Sequence, residues 1–134
     1  MEDCVFCKIA KGEIPTYKVY EDDNVLAFLD NNPVVVGHTL IIPKKHVKWV
    51  WDLEDVDFTI LMQKAKLVAN GLRKKFDTDF VGQGIIGVDV PHAHIHIMPR
   101  KAGDGLGGFP SQKISPKPTD EEFRKIAEDI KIVL

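Results

Sequence analysis

Between residues 53 and 76 the apolar positions Val56, Ile60, Leu61, Ala65, Val68, Leu72 and Phe76 recur at helical spacing, with acids early and Arg73, Lys74 and Lys75 last. This pattern predicts one long amphipathic helix, its apolar stripe laid on a sheet and its end charges matched to the helix dipole. Ahead of it, residues 5–43 are rich in β-formers broken at Gly12, Glu21-Asp22-Asp23-Asn24, Asn31-Asn32-Pro33 and Gly37. Strands are expected at 17–20, 25–29 and 39–42, the first two joined as a hairpin through the acidic cluster. Residues 80–99 return to strand character, with Gly82, Gly84 and Gly87 marking a turn or a close backbone approach. Past Arg100, glycines at 103, 105, 107 and 108 and prolines at 110, 116 and 118 predict an irregular loop, a candidate lid or interface segment. Thr119-Asp120-Glu121-Glu122 then writes a capping box, and Phe123, Ile126, Ala127 and Ile130 continue it as a terminal helix. With no repeat and no linker, the order implies a single α+β domain, 1–134, with a largely antiparallel sheet.

Composition narrows the class. A chain of 134 residues, 44% hydrophobic and 28% charged, suits one globular domain with one core. Its net charge of −2 would gather neither nucleic acid nor an anionic membrane, so any bound anion must be held locally. Residues 1–11 lack the basic start and apolar run of a signal peptide, and no apolar stretch reaches membrane-spanning length. Cys4 and Cys7 are too close together to staple the fold usefully, which leads us to expect a reducing, cytoplasmic compartment.

His92, His94 and His96 alternate with Ala93, Ile95 and Ile97. In a strand, a period of two sends all three imidazoles to one face and their neighbours to the core. Same-face side chains stand about 6.5 to 7 Å apart along the backbone, so adjacent rings can reach one shared phosphate or one shared metal ion. Each positive charge disfavours the next, so at least one ring should be neutral near neutral pH. A neutral imidazole is a competent nucleophile toward phosphorus, and a protonated neighbour can stabilise phosphoryl oxygens or protonate a leaving group. The plainer alternative is a half-buried strand with its polar face outward.

The run His92-Ala93-His94-Ile95-His96-Ile97-Met98 resembles the signature of the histidine triad (HIT) family, His-x-His-x-His followed by two apolar residues. Cys4-Val5-Phe6-Cys7-Lys8-Ile9, Gly12-Glu13-Ile14-Pro15, Glu21-Asp22-Asp23 and Ala27-Phe28-Leu29-Asp30 are similar to that family's N-terminal half. So is Gly37-His38-Thr39-Leu40-Ile41-Ile42-Pro43-Lys44-Lys45-His46. The resemblance implies a five-stranded, largely antiparallel sheet with a long central helix and a C-terminal helix, commonly in a homodimer whose sheets join. It also implies a nucleotide hydrolase or transferase acting on phosphoramidates, dinucleoside polyphosphates or related conjugates, with no catalytic cofactor. On this reading His94 attacks the α-phosphate to form a nucleotidyl-histidine, and water then releases a nucleoside monophosphate. His96 contacts the α-phosphate, His92 orients His94 through its backbone carbonyl, and His38 supports the site. Asp30 grips the ribose hydroxyls, since a carboxylate can accept two hydrogen bonds. Val5, Phe6, Ile9, Ile14 and Phe28 form an apolar slot for the base, with ordinary core as the alternative at these positions.

The chain departs from the family just before the triad. Where the family carries a Gly-Gln step after an Asn, this sequence reads Gly87-Val88-Asp89-Val90-Pro91, and the Val88 side chain cannot hydrogen-bond. Gln83 is a candidate substitute. Asp89, in the phosphate region, would repel a nucleotide unless paired, or would instead raise a histidine pKa and keep one ring protonated.

Cys4-x-x-Cys7 has the spacing of half a zinc site. By resemblance to bacterial-type members, His46 and His92 complete a closed, structural two-cysteine, two-histidine set; a redox pair and two plain thiols are the alternatives. Two other readings of the whole chain stay open. One is a hydrolase whose triad itself holds zinc. The other is a non-catalytic nucleotide-binding protein, for which Val88 and Asp89 speak. Trp49 and Trp51 are read as packing or dimer-contact residues, and Phe109 as a residue that closes over a ligand.

Overall fold

The computed structural model describes residues 3–134. Its strands are β1 (Lys18–Glu21), β2 (Val25–Leu29), β3 (Thr39–Pro43), β4 (Val81–Gly84) and β5 (Ile95–Pro99), and its helices α1 (Val5–Ala10), α2 (Asp55–Lys75) and α3 (Asp120–Val133). The strands make one sheet in the order β1-β2-β3-β5-β4, every neighbouring pair antiparallel, which is the α+β architecture expected. In the β1–β2 turn the Asp22 carboxylate accepts the N–H groups of Asn24 at 2.8 Å and Val25 at 2.9 Å, a side chain standing in for a backbone turn partner.

Strands β2 and β3 are buried along their whole length because the sheet is covered on both faces. On one face Ala27, Leu29, Ile41, Ile95 and Ile97 pack with Leu61, Val68 and Leu72 of α2 and Phe123 and Ile130 of α3. On the other, Leu26, Phe28, Leu40 and Ile42 pack with Phe6, Cys7 and Ile9 of α1. Two-sided burial explains why the run Val25-Leu26-Ala27-Phe28-Leu29 shows no polar alternation.

Two expectations need correction. Residues 5–10 form a helix rather than part of a β-rich stretch. The Cys4 Sγ caps this helix by accepting the Cys7 N–H at 3.3 Å, and the three-residue spacing brings both thiols to one side. Residues 80–99 divide into two strands separated by a loop at 85–94. In that loop Gly87 adopts φ +78° and lies against the Trp49 ring, where an added Cβ would come within 2.9 Å. Trp49 is thus a packing residue, whereas Trp51 is 70% exposed. Among the described residues no helix is long and apolar enough to cross a membrane.

The capping box at α3 is present as written. Thr119 Oγ1 accepts the Glu122 N–H at 3.2 Å, and Glu122 Oε1 accepts the Thr119 N–H at 2.9 Å. Thr119→Ala should cost about 1 kcal/mol. Leu72→Ala, at a fully buried position of α2, should cost about 2–5 kcal/mol. Urea unfolding of both variants checks the ranking.

Candidate active site

His96 lies on β5, paired with Leu40 of β3 and Gly84 of β4, and its ring leaves the α1 side of the sheet. The expectation that all three histidines share one strand face needs correction: only His96 lies in β5, and His92 and His94 precede it in the loop, where strand alternation does not fix the direction of a side chain. The rings do not converge on one point. Those of His94 and His96 stand 5.2 Å apart and line a cavity, while the wholly buried His92 ring turns toward the two cysteines.

Backbone groups set the tautomers. A carbonyl can only accept, so the 2.7 Å contact between His94 Nδ1 and the His92 oxygen places the His94 hydrogen on Nδ1. In the neutral ring Nε2 is left with a free lone pair. The Val34 N–H donates to His38 Nδ1 at 3.2 Å, so His38 carries its hydrogen on Nε2 and donates it to His96 Nδ1 at 2.9 Å. His96 therefore keeps its own hydrogen on Nε2, as a donor. Burial pushes His38 down to about 4, opposed by the Asp30 carboxylate 3.6 Å away and helped by His96. Burial, then the neighbouring His94, push His96 down to about 4 as well. Both rings are neutral near neutral pH.

The cavity measures about 440 Å³. Val5, Phe6, Ile9, Ile14 and Phe28 line it together with Asp30, Asp89, His94 and His96. The Phe6 ring stands 5.1 Å from His94 and nearly perpendicular to it, and 5.6 Å from Phe28. His38 does not line the cavity: it is buried behind His96 and hydrogen-bonded to it, so it can touch a nucleotide only through that ring. Neither Val88 nor Gln83 lines it, so Gln83 does not substitute for the lost amide. Four polar residues that the sequence reading did not place there, Thr16, Asn31, Asn32 and Lys113, do. Lys113 arrives from the loop after β5, which is tied to the turn after β2 by the Ile114 N–H donating to the Pro33 oxygen at 2.9 Å. A lysine in an aperiodic loop carries no local signal of where it lands. A larger groove of about 790 Å³ between α3 and β1 is lined by no histidine or cysteine.

Cys4, Cys7, His46 and His92 form a second cluster, their ligand atoms all within 4.8 Å of one another. His92 Nδ1 is 3.4 Å from each sulfur, and His46 Nδ1 is 3.1 Å from Cys7 Sγ. Tetrahedral zinc with ordinary bond lengths sets sulfur-to-nitrogen separations of about 3.6 Å, so this donor set fits a metal ion. The His92 Nε2–H donates to the Pro43 oxygen at 2.8 Å, which leaves Nδ1 as the free ligand atom. Burial, then Cys4, push the Cys7 thiol up to about 11 in the metal-free arrangement. With its Nε2–H held by Pro43 and its Nδ1 facing the two cysteines, His92 is turned away from His94 and His96, and the three rings do not form one zinc site. The group Asp30, His38 and His96 also clusters, but the hydrogen on His38 Nε2 occupies the position a metal would need.

The sequence matches the HIT domain over residues 11–103. The chain belongs to the HIT family. A HIT-like protein of Borreliella burgdorferi is 39% identical over 97% of both chains. An adenosine 5'-monophosphoramidase of Schizosaccharomyces pombe is 38% identical over 95% of both. A zinc-bound histidine triad protein of Mycobacterium smegmatis superposes with a TM-score of 0.84 at 28% identity, over 98% of this chain and 93% of its own.

The neutral His38 and His96 make this protein acid-sensitive. His38 and His96 have folded pKa values depressed below the ordinary imidazole value, so as pH falls the unfolded chain takes up protons first. Their contribution is complete above about pH 6.5 and is lost toward pH 4, with at most about 1.4 kcal/mol per pH unit for each ring. Denaturant unfolding between pH 7 and 5, above the carboxylate range, should show this decline, and His96→Asn should flatten it.

Proposed function

We propose that this HIT protein is a nucleotidyl hydrolase or transferase that cleaves nucleotide conjugates at the α-phosphate through a nucleotidyl-His94 intermediate. The observation that carries the reading is the His94 tautomer: an Nε2 lone pair on a ring that lines the cavity, with its hydrogen held at Nδ1 by the His92 carbonyl. In the slot, the base lies among Val5, Phe6, Ile9, Ile14 and Phe28, and Asp30 accepts the ribose hydroxyls. The Asp30 Oδ1 also accepts the Asn32 N–H at 2.8 Å, which fixes the carboxylate's orientation. His94 Nε2 forms a bond to phosphorus while the bond to the leaving group breaks. The leaving group takes the electron pair and a proton from solvent at the mouth. The His96 Nε2–H donates to a non-bridging phosphoryl oxygen, and the Lys113 ammonium adds positive charge on the same side. Water then attacks phosphorus, loses its proton to solvent and frees His94. The phosphoramidase relative makes adenosine 5'-phosphoramidate the first substrate to try.

The same reading includes a structural zinc ion on Cys4, Cys7, His46 and His92, supported by the fit of the four donors and by the zinc-bound relative. When bound, it holds both thiols as thiolates and ties α1 to the segment that carries His94. It also includes a homodimer joined at the β4 edge, where the apolar side chains of Phe80, Ile86 and Val88 are exposed.

Alkaline quenching of a reaction with phosphorus-labelled adenosine 5'-phosphoramidate should leave covalent label on the wild type and none on His94→Ala, with turnover of the variant down by about 10³-fold or more. Nucleotide binding with neither label nor turnover would instead establish a binding protein, the outcome that the Asp89 carboxylate in the cavity would favour. Protein purified without added zinc should contain about one zinc per chain, and Cys7→Ser should lose it and melt at lower temperature. Absence of metal with both thiols freely titratable would remove the zinc site.

A further inference from the structure

Gly84 is the β4 partner of His96. In an antiparallel ladder the side chain opposite a residue is its close neighbour on the same face, so a glycine opposite His96 leaves a gap beside that ring. The gap is filled from elsewhere in the chain. Phe109 lies over Gly84 so closely that an added Cβ at that position would stand 1.6 Å from its ring, and its ring meets His96 at 6.1 Å, nearly perpendicular. Phe109 does not line the cavity, so its contact is with the histidine and not with the nucleotide slot. This replaces the reading of Phe109 as a residue that closes over a ligand.

A glycine-rich loop would not hold an aromatic ring in place unaided, because each glycine adds backbone freedom. The loop is tied at its base by one guanidinium. Arg100 is 3% exposed and donates from Nε and Nη2 to the two Asp104 carboxylate oxygens at 2.7 and 2.9 Å, from Nη2 to the Gly107 oxygen at 2.7 Å and from Nη1 to the Gly108 oxygen at 3.3 Å. Its outer face lies over the Phe80 ring at 4.9 Å. Residues 104, 107 and 108 are thereby gathered next to Phe109.

We propose that Phe109 is a positioning residue for His96, seated in the space that Gly84 leaves open and delivered there by the Arg100 clamp. The ring limits the directions in which His96 can point its Nε2–H and keeps water from the His38–His96 hydrogen bond. The consequence for turnover rests on the proposed reaction at His94; the consequence for the His96 ring does not.

The test uses the full chain as purified, with adenosine 5'-phosphoramidate as substrate. Phe109→Ala should lower kcat on the order of 10-fold with KM changed less than about 2-fold, and Phe109→Tyr should restore most of the loss. Gly84→Ala should lower kcat comparably, because the methyl group displaces Phe109. Gly84 has ordinary strand geometry, so alanine there carries no backbone penalty of its own. In the Phe109→Ala background Gly84→Ala should therefore add less than about 2-fold, a coupling that a general loss of stability would not produce. An unchanged kcat in Phe109→Ala, or an equal cost of Gly84→Ala in both backgrounds, would overturn the proposal. Nitrogen NMR of the histidine rings reads the positioning without turnover. Phe109→Ala should move His96 from its single Nε2–H tautomer toward a mixture, and an unchanged His96 spectrum would also overturn the proposal. If the wild type turns over no nucleotide, the reaction at His94 falls, and the spectrum alone decides the role of Phe109.

Discussion

The 2.7 Å hydrogen bond from His94 Nδ1 to the His92 carbonyl decides what the rest of the site can do. A neutral imidazole has one hydrogen, and wherever it is held the other nitrogen becomes the base or nucleophile. Here the holding group lies two residues back along the chain, so the tautomer follows from local backbone geometry and needs no distant partner. His92 is itself pinned, its Nε2–H on the Pro43 oxygen and its Nδ1 facing both cysteines. Anchoring that ring anchors the carbonyl beside it, and the carbonyl aims His94.

Burial does the electrostatic work. A sheet covered on both faces places His38 and His96 in surroundings where the charged imidazole is disfavoured, and the chain from the Val34 N–H through His38 to His96 orders their hydrogens without a net charge. Such a pair offers a fixed donor at His96 Nε2 for an anionic substrate. Acid sensitivity is the corresponding cost. The six residues of α1 serve two centres at once: Phe6 and Ile9 wall the cavity, while Cys7, with Cys4 at the cap, faces His46 and His92. Loosening that helix would disturb the slot and the four-donor cluster together.

The substitutions before the triad change the cavity rim more than its floor. Val88 is 73% exposed and outside the cavity, so the amide that the family resemblance implies before the triad has no counterpart at that position. Asn31, Asn32 and Lys113 supply polar groups from two other segments, and Asp89 remains as a carboxylate on the rim. Positive charge on this side of the site therefore comes from a loop far along the chain.

Period and motif are local properties, and what they encode was legible in the sequence. The apolar stripe of α2, the Thr119 capping box and the acidic hairpin turn all follow from neighbours a few residues apart. The resemblance to HIT sequences added the sheet, the slot residues and the four-donor cluster. The helix at Cys4 was missed because its β-branched residues mislead and its cap is a sulfur. That His92 turns to Cys4, that His38 stands behind His96 and that Phe109 fills the space over Gly84 are contacts across 25 to 88 residues of chain. The sequence by itself determined which side chains share a face, because backbone geometry repeats. Only the tertiary structure decided which of them meet, because that depends on where distant segments pack and which backbone groups they leave to accept or donate each hydrogen.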